Sequence, residues 1–356
     1  MSGNSFGIAL VLTTFGESHG IAVGGILDGF PSSIEIDPPF IQSELDRRRS
    51  KGYSYSTSRL EEDKIQILSG LFENKSTGAP IAFIIYNKDQ KPEDYRHLKD
   101  VYRPSHADYT YKQKYGNYDY RGSGRASARE TVARVAGGAF AKILLKQNSI
   151  TITAYVSQIG TIRMKNDSLA ADPEAIMKSP VGCPDEETSK DMIAFLEQMK
   201  SEGDTTGGII TCRVNGVPAG LGEPVFDKLH ADLAKGMLSI NAVKGFDYGS
   251  GFESSSLKGS EHNDIFIFRN KQITTATNFS GGIQGGISNG NEIYFRVAFK
   301  PVSTLMMDQQ TVNEAGEKVL LKGKGRHDVC VVPRAIPVVE AMAALVIADH
   351  LIRYGR

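Results

Sequence analysis

The stretch GSGRASARET, residues 122–131, carries the densest potential chemistry in the chain. Ser127 with Glu130 three residues later has the form of a capping box at a helix start. Gly122 and Gly124 let the backbone come close to a ligand. A helix start adds free N–H groups and a positive dipole end, which together suit an anion. Arg121, Arg125, Arg129 and Arg134 bring full positive charges. Arg125 and Arg129 share a face if the helix includes both. The alternative is a well-capped helix with solvated arginines. The segment is not a dinucleotide fingerprint, because the third glycine is missing and the preceding KYGNYDYR is no buried strand.

A second cluster is FGESHG, residues 15–20, where Gly16 and Gly20 bracket an acid, a hydroxyl and His19 on a turn between two strands. His19 changes charge near neutral pH and suits a general acid or base. A loop histidine beside Ser and Glu equally suits a surface hydrogen-bonder. Ser18 and His19 are chain neighbours, which does not make triad geometry. In LDRRRSKGYS, residues 45–54, Arg47, Arg48 and Arg49 end a helix, where cations complement the dipole. Consecutive residues point different ways, so at most two face a common ligand. Residues 101–122 set Arg103, His106 and Asp108 among tyrosines. That pattern suits bases stacked on aromatics or one wall of a flat aromatic cofactor. In residues 322–337, Arg326, His327 and Asp328 precede the last helix as a proton relay or a plain salt bridge. SGGIQGGISNG, residues 280–290, is a further glycine-rich loop, and Lys300, Pro301, Val302, Ser303 and Thr304 close a strand with a cation and hydroxyls. Cations, glycine loops and a few titratable groups, without metal spacing or an activated nucleophile, point to acid–base chemistry on a polyanion.

These residues need a frame. Apolar, β-branched runs predict strands over 6–12, 21–28, 64–69, 80–86, 150–159, 207–215, 264–268 and 292–299. Helices are predicted over 38–49, with Asp37 as N-cap and Pro38 at the first position, and over 127–146, 185–201 and 335–353. The stretches 14–20, 50–60, 87–125, 245–262, 277–291 and 320–334 read as irregular. Loops of that length are usually functional or disordered. Strands and helices mix without strict βαβ alternation, which favours an α/β sandwich of helices and mainly antiparallel sheets over a Rossmann fold. With no repeat or Pro/Ser-rich linker, residues 1–356 read as one domain.

Lys+Arg and Asp+Glu are equal at 41 each, which argues against a general nucleic-acid or membrane-surface binder. Any positive site is therefore a local cluster. Cys183, Cys212 and Cys330 are odd in number and far apart, so a disulfide framework or zinc site is not expected and a reducing cytosol fits. The N-terminus lacks a basic region followed by a long apolar core, and no apolar run is read as reaching the ~20 residues that span a bilayer. The expectation is a soluble, cytoplasmic protein.

GESHG with IAVGGILDGFP, GSGRASARETVARVAGGAFA and GRHDVCVVPRAIPVVEAM together resemble the three signature regions of chorismate synthases. RPSHADYTYKQKYG, SINAVKG and NFSGGIQGGISNG follow in the same order, and the resemblance runs from residue 3 to about 354. It implies a lyase that eliminates phosphate from 5-enolpyruvylshikimate 3-phosphate in an anti-1,4 sense, with reduced FMN but no net redox change. It also implies roles. His19 resembles the acid for the leaving phosphate, His106 the keeper of the flavin's protonation state, and Asp328 the acid that aids transfer of the ring proton. Arg48, Arg103, Arg129 and Arg326 resemble substrate-anion ligands. Arg125, Ala126, Ser127, Asn241, Ala242, Gly285, Lys300 through Thr304, and Arg326 match flavin-binding positions. Two positions depart from the family: Ser54 stands where many bacterial relatives have a second loop arginine, with Lys51 nearby as a substitute, and Ala126 replaces a common serine. The family is usually homotetrameric. This chain lacks the insertions of the members that reduce flavin with NADPH, which implies a monofunctional enzyme supplied with reduced flavin from outside.

Overall fold

The computed structural model describes residues 3–50, 52–57, 59, 61–165, 172–269, 271–324 and 327–355. Two five-stranded sheets, antiparallel throughout, form its outer layers. The first runs Ser5–Phe6, Val11–Gly16, Ala22–Asp28, Ile81–Tyr86, Ile65–Ile67 in spatial order. The second runs Val243–Tyr248, Ile293–Phe299, Gly208–Asn215, Thr151–Ile159, Ile162–Arg163. Their strands show the period-2 signature of one buried face. In IAFIIY, Ile81, Phe83 and Ile85 are fully buried, and in IYFRVAF the same alternation buries Ile293, Phe295, Val297 and Phe299.

Two long helices fill the space between. The central helix, Thr131–Gln147, packs on the first sheet, and the last helix, Val332–Tyr354, packs on the second; the two also pack on each other. The order of layers is sheet, helix, helix, sheet, which is the expected sandwich and not a Rossmann fold. A glycine pair sets the spacing. A Cβ on Gly138 would stand 2.3 Å from Ala341 Cβ and 2.5 Å from its Cα, so only glycine admits this crossing. Its neighbour Gly137 sits against Leu12 of the first sheet. The first helix, Pro38–Arg48, and the helix Leu229–Leu238 pack against the last helix from either side.

A buried ion cluster pins these layers. Glu340 on the last helix accepts from Arg47 Nη1 and Nη2 (2.6 and 2.9 Å), Lys142 Nζ (2.6 Å) and the Ala154 amide (3.0 Å). Lys142 also pairs with Glu44. One carboxylate therefore joins three helices and a strand.

Several expectations shift. The strand expected over 6–12 divides at Gly7 (φ 106°), and the amides of Ile8, Ala9 and Leu10 turn to donate to Asp349 Oδ1 on the last helix (2.6–2.9 Å). Residues 108–115, expected as irregular, are helical, and a further helix, absent from the sequence expectations, spans Leu229–Leu238. The strand Val243–Tyr248 runs into the stretch 245–262, expected as irregular. The capping box at Ser127 does not form. Ser127 caps a short 3-10 turn over Ala128–Glu130 by accepting from the Arg129 amide, and Glu130 pairs with Arg134 instead. The last helix also proves long and apolar enough to cross a membrane, contrary to the reading of the apolar runs. Of that stretch, 89% is buried inside the protein, which accounts for its composition.

Candidate functional site

A cavity of about 490 Å³ opens where the irregular segments converge. Its walls come from the end of the first helix, the 50s loop, the 103–107 turn, the 122–129 segment, residues 241–242, the run 300–304 and the loop before the last helix. Its size falls in the range of small-molecule sites. Arg48, Arg49, Arg59, Arg103, Arg129, Lys300 and Arg334 line it against Glu61, Asp63 and Asp328, a surplus of four positive charges among the described lining residues. The neutral chain thus concentrates its cations here. Asp108, directly behind Arg103, offsets one of them.

Asp63 organises one side. It pairs with Arg48 (3.2 Å) and with Arg129, both nearly buried. Arg48 also donates through Nε to Thr131 Oγ1 (2.9 Å) and through Nη2 to the Ala128 carbonyl (2.7 Å). Burial pulls the Arg48 pKa down to about 10 against the attraction of Asp63, with Arg334 and Arg129 adding to the fall. Arg129 Nε donates to Asn87 Oδ1 (2.7 Å). Arg129 Nη2 is buried and has no partner among the described residues. A buried cationic donor left open in a cavity is placed for an anion.

Opposite lies a linked set. Arg103 grips Asp108 with two parallel bonds (2.8 and 2.6 Å) and donates to Ser123 Oγ (2.9 Å). His106 Nδ1 stands 2.8 Å from Asp108 Oδ1, and His106 Nε2 is 3.2 Å from Ser123 Oγ. Burial lowers the His106 pKa, and Arg103 and Lys300 add to the fall against the pull of Asp108, so the ring is neutral at pH 7. Burial tends to raise the Asp108 carboxyl, but Arg103 and His106 outweigh it and hold it well below the usual range. His327, also on the wall, is pushed down to about 4 by burial, with Arg103 adding to the fall.

Asp328 accepts from the Thr57 amide (2.9 Å) and from Arg334 Nη1 (2.6 Å), while Arg334 Nε donates to the Arg48 carbonyl (3.2 Å). Asn241 donates through Nδ2 to the Ala126 carbonyl (2.9 Å), leaving its buried Oδ1 without a partner among the described residues. Lys300 Nζ reaches the Ser105 carbonyl (2.8 Å). Ala126, Ser127, Ala242, Pro301, Val302, Ser303 and Thr304 complete this end. Open donors and acceptors, an anion-attracting field and a long wall of small residues fit a phosphorylated flavin together with a polyanionic substrate.

Not every expected residue arrives. Arg326 and Lys51 lie outside the described residues. His19 is buried but does not line the cavity; its ring packs edge-on to Tyr95 (5.0 Å between centroids) and under Gly122, both of which do. A Cβ on Gly122 would stand 2.3 Å from the His19 ring, so this glycine is required by the close approach. Arg125 and Arg129 do not share a face. Gly122, Ser123 and Gly124 are all left-handed (φ 56°, 69°, 51°), so Arg125 lies before the turn that Ser127 caps and points to Thr14 Oγ1 (2.8 Å) and the Gly16 carbonyl (3.2 Å). Of the four arginines around that motif only Arg129 reaches the cavity, since Arg121 pairs with Asp119 and Arg134 with Glu130. Gly285 sits in the hairpin Ile283–Gln284 with Ile287–Ser288, which docks near residues 218–229 through Ser288 and Gly286 and does not line this chain's cavity. The tyrosine-rich stretch sends only Tyr111 to the cavity; Tyr109 and Tyr115 face solvent. Sequence reasoning missed Arg59, which lies beyond the arginine run, donates to Ser18 Oγ (3.1 Å) and pairs with Glu61 (2.8 Å). It also missed Ser123 and Asp63, which carry no signal beyond their tertiary neighbours.

Comparison with known proteins agrees along the whole chain. A family model described as chorismate synthase matches residues 10–352. The chorismate synthase of Christiangramia forsetii is 58% identical over 353 residues, covering 99% of this chain and 98% of that protein. That of Bacteroides thetaiotaomicron is 57% identical over 347 residues, covering 98% and 97%. A solved structure, described as the crystal structure of chorismate synthase, superimposes with a TM-score of 0.78 at 32% identity, covering 98% of this chain and 93% of that one.

Proposed function

The chain belongs to the chorismate synthase family, and on that premise we propose that its cavity binds 5-enolpyruvylshikimate 3-phosphate beside reduced FMN and eliminates phosphate by an anti-1,4 route. Membership makes it an enzyme of the last step of the shikimate pathway. The observation that carries the finer reading is the paired Arg48 and Arg129 on Asp63, with Arg129 Nη2 open toward an anion.

Arg48, Arg103 and Arg129 bind the substrate's carboxylates and phosphate, and Arg326 joins them by motif. Arg48, Arg103 and Arg129 are fixed in advance by Asp63, Asp108, Thr131 and Asn87, so little reorganisation is needed when charge develops on the leaving group. The chemistry that reduced FMN would supply when bound is electron density for the breaking C–O bond, with no net redox change. Ala126, Ser127, Asn241, Ala242 and Lys300 through Thr304 are the residues that would hold it here, with Arg125 supporting from behind. Gly285, a flavin-binding position by motif, does not line this cavity. His106, neutral at rest, takes up a proton at Nε2 and gives it back. Asp328, held by Thr57 and Arg334, acts as the acceptor on the path of the ring proton. His19, packed against Tyr95 of the cavity wall, delivers a proton to the departing phosphate. The chain works as a single domain in the cytoplasm and assembles as a homotetramer. The exposed Phe266, Phe268 and Ile273 on one hairpin support assembly, since exposed apolar clusters mark contact surfaces.

The test is anaerobic incubation with the phosphate ester and dithionite-reduced FMN. Chorismate and phosphate are expected in equal amounts. NADPH with oxidised FMN is expected to give none unless a separate flavin reductase is added. Purified, folded protein that forms no chorismate with reduced FMN would end the proposal.

A further inference from the structure

Ser123 stands in a place that suits glycine. Its φ is 69° and ψ 17°, and the residues on either side, Gly122 and Gly124, hold the same left-handed sign. A side chain there strains the backbone, and strained residues persist where the surroundings over-determine them. The only gain visible at Ser123 is its hydroxyl. Nearly buried, it receives Arg103 Nη2–H (2.9 Å) and lies 3.2 Å from His106 Nε2.

The donor inventory decides the direction of these bonds. Asp108, ionised between Arg103 and His106, can only accept, so His106 Nδ1 carries the hydrogen in the 2.8 Å contact. Arg103 can only donate, so Ser123 Oγ accepts from it. The serine proton is then free to point at His106 Nε2. We propose that Ser123 is a positioning residue for His106, its hydroxyl donating to Nε2 and so holding at the cavity wall the neutral Nδ1–H ring that Asp108 selects. The proposal rests on the reading of His106 as a proton-exchanging group.

Protonating Nε2 in this setting would set two donors, from Arg103 and from His106, against one serine oxygen. The other groups that face the ring are Asp108 on its own segment, Lys300 at the strand end and His327 before the last helix. Asp108 favours the charged ring, whereas Lys300 and Arg103 oppose it. Without the hydroxyl, water takes its place and accepts from a protonated Nε2, which eases protonation.

The experiment uses the cofactor-free protein with ¹⁵N-labelled histidine, His106→Gln for assignment, and the variants Ser123→Gly and Ser123→Ala. Glycine relieves the backbone and alanine keeps its conformational cost, but both remove the hydroxyl. The wild-type ring is expected to show the Nδ1–H tautomer from neutral pH down to its titration. Asp108 keeps the hydrogen on Nδ1 in both variants, which are expected to shift the Nε2 resonance as its donor is lost and to raise the titration midpoint by up to about one pH unit, the scale of one hydrogen bond. The acid limb of chorismate formation with reduced FMN is expected to rise with it, and kcat below neutral pH to fall by on the order of tenfold. An unchanged Nε2 resonance and midpoint in both variants overturns the proposal, and so does a change confined to the glycine variant, which would trace to the backbone. A shifted ring with unchanged turnover upholds Ser123's hold on His106 and removes His106 from the chemistry.

Discussion

Single residues in the cavity are positioned by partners more than by their own segments. His106 sits between Asp108 and Ser123, and each arginine that faces the ligand space leans on a carboxylate. Such preorganisation separates binding from proton transfer. His106→Ala is expected to lower kcat by about 10²–10⁴, the usual worth of an acid–base group, while KM changes little. Steady-state kinetics with reduced FMN check this, and an unchanged kcat would take His106 out of the mechanism. The candidate residues were legible as types. Arg48, Arg103, His106, Arg129 and Asp328 all line the cavity, as their motifs suggested. Asp63 and Ser123 were not legible, because their importance lies in what they touch across 15 and 17 or more residues of chain.

At the scale of elements, local signals held where the physics is local. Asp37 caps the first helix by accepting from the Phe40 amide (3.1 Å), and Pro38 opens it, as the sequence suggested. Asp185 likewise caps Glu186–Glu202. The failure at residues 6–12 has a distant cause. The apolar run is strand-like, but the three amides after Gly7 are claimed by Asp349, about 340 residues away. Replacing Asp349 with Ala leaves those amides without their acceptor and is expected to cost about 2–4 kcal/mol of stability. Urea denaturation measures it, and a loss below about 0.5 kcal/mol would show that water replaces the carboxylate freely.

For the whole molecule, the Glu340 cluster ties the first, central and last helices to the second sheet. Burial would raise the Glu340 pKa, but Lys142 and Arg47 overcome it and hold the carboxyl down at about 2. A depressed carboxyl adds stability that is complete above its unfolded pKa near 4.5 and is lost as pH falls through the folded value. Wild type and Glu340→Gln are therefore expected to differ most above about pH 5, by about 3–5 kcal/mol, the usual cost of breaking a buried pair. The gap closes as pH falls toward 2. Paired denaturation curves across that range check it, and a gap independent of pH would assign the loss to shape instead of charge.

What the sequence by itself determined is whatever depends on neighbours within a turn or a strand: the alternation of IAFIIY and IYFRVAF, the aspartate caps, and the ordered motifs that place this chain in its family. Only the tertiary structure decided which member of a motif faces the ligand. Among Arg47, Arg48 and Arg49, the first is taken by Glu340, the second by Asp63 beside the cavity, and the third pairs with Asp46 at the rim. Gly285 leaves the cavity because its hairpin docks elsewhere, and Arg125 leaves because three left-handed residues turn the chain before the helix begins. Periodicity and capping are written in residues that touch along the chain. The direction of a charged side chain is set by the free energy of pairing it once buried, and its partner is chosen by packing across hundreds of residues.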